Sequence, residues 1–152
     1  HDGHYTEALQ VERSLVDQYP HDFLFVLEVA NLLKDEGHGY DAIAAYKQVL
    51  ADAQKPGYFI DARLQLAWFG LAETQRGYNQ LQDSVSSYIQ AATQPNCSDW
   101  LRRRAQVNAG EVYDILHDRA NAMKMYQMAA TGSDTSQADL ARKYLKAPYV
   151  GK

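Results

Sequence analysis

Five histidines, one cysteine, a glycine-flanked histidine and a short arginine run are the residues of this 152-residue chain whose types could carry chemistry. His1, His4, His21, His38 and His117 stand at the amino-terminal residues or in breaks between apolar-periodic segments. None pairs with another at i, i+4 around an acid, as a zinc hydrolase requires. His1 and His4 could chelate a stray metal ion, and a frayed end accounts for them as well. Cys97 is the only cysteine, so no intrachain disulfide forms. With no histidine near it in sequence, it reads as a small half-buried thiol at a helix start and not as a nucleophile. Gly37-His38-Gly39 lacks a third glycine and follows a helical pattern instead of a strand, so it makes a turn and no phosphate cradle. No nucleophile with a base, tuned carboxylate pair, metal cluster or phosphate loop has usable spacing. The reading is therefore no enzyme, no catalytic residue, no metal and no cofactor.

The remaining candidate is the run Arg102-Arg103-Arg104. Consecutive helical residues point about 100° apart, so the run does not make one basic face, and ion pairing near Asp99 explains it better than a nucleic-acid contact. The net charge of -4 gives no general attraction for phosphate backbones or anionic lipid. Apolar residues make up 46% and charged residues 22%, close to the globular average, and no uninterrupted apolar stretch of about 18 residues could span a membrane. A soluble single domain is expected, since a chain of this length buries roughly 70% of its unfolded surface. The amino-terminal residues show no targeting segment, and the compartment stays unknown.

What positions these residues is a repeat. In Gly37 to Val49 a small residue, Ala42, is followed four places later by Tyr46 and seven places later by Val49. The pattern recurs as Ser84, Tyr88, Ala91 and as Ala122, Tyr126, Ala129, with a weaker copy at Ala8, Glu12, Leu15 closed by Pro20. Residues at i, i+4 and i+7 share one stripe of an α-helix, so each triplet is the buried edge of an amphipathic helix, with a small residue where a neighbour comes closest. Glu12 in place of the aromatic suggests an end repeat whose outer face meets water. The small residues lie 34, 42 and 38 positions apart, and the first interval is a tetratricopeptide period. The extra residues fall ahead of the first helix in each longer repeat. Those helices are expected about two turns after Lys55-Pro56-Gly57 and about one turn after Asn96-Cys97-Ser98, with Ser98 a good N-cap.

These residues resemble the tetratricopeptide repeat family from about Tyr5 to Thr131. The best copy has Ala109-Gly110 and Tyr113 on the first helix, then Ala122, Tyr126 and Ala129 on the second, with Asp118 to Asn121 as the turn. Another has Val29-Ala30, Leu33 and Gly37, followed by Ala42, Tyr46 and Val49. The loosest has Trp68, Leu71-Ala72, Ser84, Tyr88 and Ala91, with Gln75 where a large apolar residue is usual. In that copy Phe69-Gly70 offers an alternative register; the preferred one turns Trp68 inward and Phe69 toward the groove. The resemblance implies an all-α, right-handed α-solenoid of stacked antiparallel helix pairs. Its parts are a half repeat over 1–20, helix pairs over 22–54, 58–94 and 98–132, and a capping helix over 135–147. Asp134, Thr135, Ser136 and Gln137 offer the cap, Leu140, Tyr144 and Leu145 point inward, and Pro148 stops the helix. An open half repeat at one end implies the last repeats of a longer protein.

In such a stack the first helices line a concave wall, which the resemblance makes the partner surface. The wall residues are Leu27, Asn31 and Lys34; Phe69, Glu73 and Arg76; and Arg104, Asn108 and Glu111. Family members that clamp a C-terminal carboxylate use lysines, asparagines and an arginine here. Asn31 matches one asparagine and Arg104 could replace a lysine, but Leu27, Gly70 and Asn108 depart from the pattern, which argues against that ligand. The mixed charges suit a peptide carrying both signs, or they pair with each other across neighbouring first helices. The reading is a non-catalytic scaffold for an unidentified protein or peptide, with self-association into a homo-oligomer, or positioning of an enzyme elsewhere in the full chain, as the alternatives. Replacing Ala42 or Ala122 with Asp is expected to bury an unpaired charge at a helix contact and cost several kcal/mol; wild-type-like thermal melting of both variants would sink this register.

Overall fold

The computed structural model describes residues 2–131 and 135–151. His1 and Asp134, considered above for metal chelation and for capping, lie outside the described residues. Among the described residues eight helices follow one another: α1 (Asp2–Gln18), α2 (Phe23–Asp35), α3 (Gly39–Asp52), α4 (Leu64–Gly77), α5 (Leu81–Thr93), α6 (Asp99–Ile115), α7 (Arg119–Ala129) and α8 (Thr135–Lys146). Each packs on the next, while α2 also meets α4 and α6 also meets α8. The short turns within pairs force antiparallel neighbours, and the result is an all-α solenoid of the tetratricopeptide kind.

Each turn between paired helices is built the same way. Gly37, Asn79 and His117 adopt left-handed φ angles of 84°, 60° and 60°. The next backbone N–H, of His38, Gln80 or Asp118, then donates to the carbonyl of Leu33, Gln75 or Tyr113 at 2.8 Å in every case, closing the preceding helix. Helix starts use side-chain caps where the sequence supplies them. Asp22 accepts from the N–H groups of Leu24 and Phe25 at 3.1 and 3.3 Å, Ser98 from Leu101 at 3.3 Å, and Asp118 from Asn121 at 3.2 Å.

The two longer intervals are absorbed differently. Residues 53–63 fold as a connection against the start of α2: the Phe59 ring packs edge-on to Phe23 at 5.4 Å, and Tyr58 packs on His21 at 4.6 Å. The shorter excess lengthens α6 to 17 residues. That helix begins at Asp99, directly after the expected N-cap Ser98. Ser98 caps it there, and Arg103 secures its first turn by bonding Asp99 at 2.8 Å and the Ala129 carbonyl at 3.0 Å. Arg102 likewise serves the fold, donating to the Ala92 and Cys97 carbonyls at 3.0 and 3.1 Å.

The core repeats with the triplets. Ala42, Ser84 and Ala122 are all 0% exposed, and Tyr46, Tyr88 and Tyr126 are at most 2% exposed. Gln75, unusual for its position, is buried with its Oε1 accepting from the Ser87 hydroxyl at 2.6 Å, a polar pair where a large apolar residue is usual. Gly70 lets α4 close on α3: an added Cβ would lie 2.5 Å from Cζ of Tyr46, which explains why no asparagine stands at that place. In α1 Glu12 occupies the tyrosine position, and burial, then the Glu28 carboxylate, push its carboxyl pKa up.

Because Tyr46 is buried and cannot swing away, Gly70→Ala is expected to destabilise the fold by about 1–3 kcal/mol. In Gly77→Ala the new methyl meets nothing within 4 Å, so that variant should be neutral or stabilised by up to about 1 kcal/mol. Urea denaturation of the two variants checks this, and equal midpoints would contradict the close approach.

Candidate binding groove

First-helix side chains converge on a cavity of about 650 Å³ on the concave side, whose lining includes Glu73, Arg76, Tyr88, Arg104, Asn108 and Glu111. Helices α4 and α6 carry the wall residues, α5 supplies Tyr88, and α8 with Gly151 closes one end. Five of the nine residues expected on the wall therefore meet in one place. The others lie elsewhere. Lys34 sits beyond the cavity, bound to Glu73 at 3.3 Å. Asn31 accepts the Tyr46 hydroxyl at 2.5 Å and donates to Glu28 at 3.3 Å.

Two expectations are corrected by packing. Leu27 is not a wall residue: it is 5% exposed and joins the core cluster containing Phe23, Ala30 and Tyr46, where its apolar surface is removed from water. Phe69 is half-buried, its ring edge-on to Tyr88 at 5.6 Å, so it supports the groove from behind rather than lining the cavity. Trp68 packs against the core clusters on both sides of it.

Charge in the groove is largely paired along the stack. Lys34–Glu73 joins α2 to α4, and Arg76–Glu111, at 2.8 Å, joins α4 to α6. The first is partly exposed and worth a few tenths of a kcal/mol. The second is more enclosed, and there the loss of one partner would strand the other. Arg104 lies over the Trp100 ring, 5.6 Å from its centroid.

A third cluster, absent from the sequence reading, fixes the closed end. Asp114, on α6, accepts from Arg119 at 3.0 Å, from the Tyr126 hydroxyl at 2.8 Å and from the backbone N–H of Tyr149 at 2.9 Å. Arg119 also donates to the carbonyls of Tyr144 and Leu145 at 2.5 and 3.2 Å, holding the end of α8. Asp114 and Arg119 straddle the α6–α7 turn, a faint sequence signal; nothing in the sequence linked Tyr149 to them.

Among the described residues no group of three His, Cys, Asp or Glu side chains could hold a metal ion. Cys97 is buried, and burial pushes its thiol pKa up against the pull of Arg102, which keeps it in the unreactive form. No helix of the described residues is long and apolar enough to cross a membrane.

No protein-family model matches the sequence, and no curated protein does. Among solved structures the chain is similar to the crystal structure of MamA, with a TM-score of 0.64 and 17% identity over 95% of this chain and 86% of that one. At that identity the likeness shows a shared fold.

The tyrosines behind the groove make the fold sensitive to alkali. Burial raises the phenol pKa of Tyr46 and of Tyr126, which also donates to Asp114, and pushes Tyr88 up to about 12. The folded state thus favours the neutral phenols. Their contribution is intact below the ordinary value of 10 and is lost as pH climbs from there through the folded values, at up to about 1.4 kcal/mol per pH unit for each tyrosine. Ultraviolet titration should show Tyr46, Tyr88 and Tyr126 ionising late and together with unfolding; loss of the late phase without unfolding, or no late phase at all, would contradict this packing.

Proposed function

We propose that the chain is a non-catalytic docking scaffold whose concave wall holds a protein or peptide as part of a larger polypeptide. The observation that carries this reading is the convergence of Glu73, Arg76, Arg104, Asn108 and Glu111 on one cavity of about 650 Å³. Side chains rooted on packed helices keep their positions, which lowers the ordering cost of binding. Acids and bases alternate along the wall, so a segment carrying both charges suits it better than a polyanion such as nucleic acid. The tetratricopeptide-like fold supports a protein partner by analogy alone.

A second reading, self-association, draws on a different surface. Tyr19, Leu24 and Ile60 are 55%, 46% and 83% exposed and line a cavity of about 550 Å³ beside the connection 53–63. An apolar edge of this kind fits a protein contact.

Affinity capture from source-cell lysate separates the two. The wild type is compared with Arg104→Glu/Asn108→Leu, which changes the wall while leaving Phe69 and Leu27 in their packing. Both chains should melt alike, within about 0.5 kcal/mol, and the double variant should lose the retained protein. Equal retention would contradict the wall reading. Concentration-dependent sedimentation abolished by Ile60→Asp would favour self-association.

A further inference from the structure

Resting on the scaffold reading above, we infer that the groove's ligand is an extended segment bearing a tyrosine, and that the chain's own residues 147–151 occupy this place in its absence. After α8 the backbone carries no regular structure from Pro148 to Gly151; Tyr149 reaches Arg76, a residue of the groove wall, and Gly151 stands at the end of the cavity. It makes the contacts a bound peptide would make. The Tyr149 N–H donates to Asp114 at 2.9 Å, and its hydroxyl accepts from Arg76 at 3.2 Å. The Arg76 guanidinium also stands 5.5 Å from the centroid of the Tyr149 ring, whose face or edge meets Tyr144 at 5.3 Å.

These contacts read one residue. The ring takes a cation–π and an aromatic contact, the hydroxyl takes one hydrogen bond, and the backbone takes another. The flanking residues are read much less: Pro148 and Val150 are exposed, Val150 at 88%. Two helices contribute, Arg76 from α4 and Asp114 from α6, so the place exists because the stack brings their faces together. Arg76 is simultaneously held by Glu111 at 2.8 Å, and Asp114 by Arg119 at 3.0 Å, so both are fixed before any ligand arrives. Release of the segment would expose an arginine, a carboxylate oxygen and the Tyr144 ring at one spot, a set complementary to another tyrosine in extended backbone. A tethered segment competes at an effective concentration on the order of millimolar, so a free peptide is excluded until the tether lets go.

The test uses the full chain and a labelled synthetic peptide, Ala-Pro-Tyr-Val-Gly, followed by fluorescence anisotropy. The Tyr149→Ala chain should bind it at least tenfold more tightly than the wild type, and should not bind a peptide with alanine in place of the tyrosine. Should Tyr149→Ala fail to fold, Tyr149→Phe keeps the ring on Tyr144, removes the hydroxyl from Arg76 and should bind the tyrosine peptide about threefold more tightly than the wild type. Equal affinity of variant and wild type, equal binding of both peptides, or no binding at millimolar peptide overturns the inference. Loss of a captured protein from the Arg104→Glu/Asn108→Leu chain alongside any of those results would leave the scaffold reading standing without the tyrosine.

Discussion

The structure depends on letting helices approach closely enough for a tyrosine to reach across them. Tyr46, Tyr88 and Tyr126 each occupy the middle of a second helix and are fully enclosed, and a phenol can be buried this way only if its hydroxyl finds a partner. Tyr46 reaches Asn31 and Tyr126 reaches Asp114, both on the first helix of the same pair. Small residues make that reach possible. Ala42, Ser84 and Ala122 sit one turn before the tyrosines, and Gly70 and Gly110 lie so close to Tyr46 and Tyr126 that a methyl would collide with the rings. The ring fills space between helices while its oxygen sets where the first helix must stand.

That constraint orders the concave side. With first helices held in line by their partners, Lys34 meets Glu73 and Arg76 meets Glu111 without long-range adjustment. The hydrogen bond that seats Tyr126 also fixes Asp114, which in turn holds Arg119 and the backbone of Tyr149. Core and groove are thus connected by single side chains. A change in the packing of a tyrosine reaches the wall through one hydrogen bond.

The helical repeat was legible because its cause is local: a small residue, a tyrosine four places on and a small apolar residue three further must share a helix face. Side-chain orientation was less legible. Leu27 and Asn31 share one face by spacing, yet Leu27 is drawn into the core and Asn31 to a tyrosine hydroxyl, because the neighbouring helices decide which of them water can reach. Gln75 looked like a defect in the pattern until Ser87, twelve residues away on the partner helix, supplied its hydrogen bond. The Asp114 cluster was hidden for the same reason. Its members come from α6, α7 and the segment after α8, and no periodicity links them. That the extra residues of the α4–α5 repeat fall ahead of its first helix followed from counting, but the packing of Phe59 on Phe23 did not, since irregular backbone carries no period.

On the proposed scaffold reading, the concave wall and not the outer face meets another polypeptide. Photo-crosslinking in source cells tests it directly, with a photoreactive side chain replacing Arg104 on the wall or Gln90, which is exposed on α5. A discrete crosslinked polypeptide is expected from position 104 and none from position 90. Crosslinks from position 90 alone, or the same product from both, would contradict it.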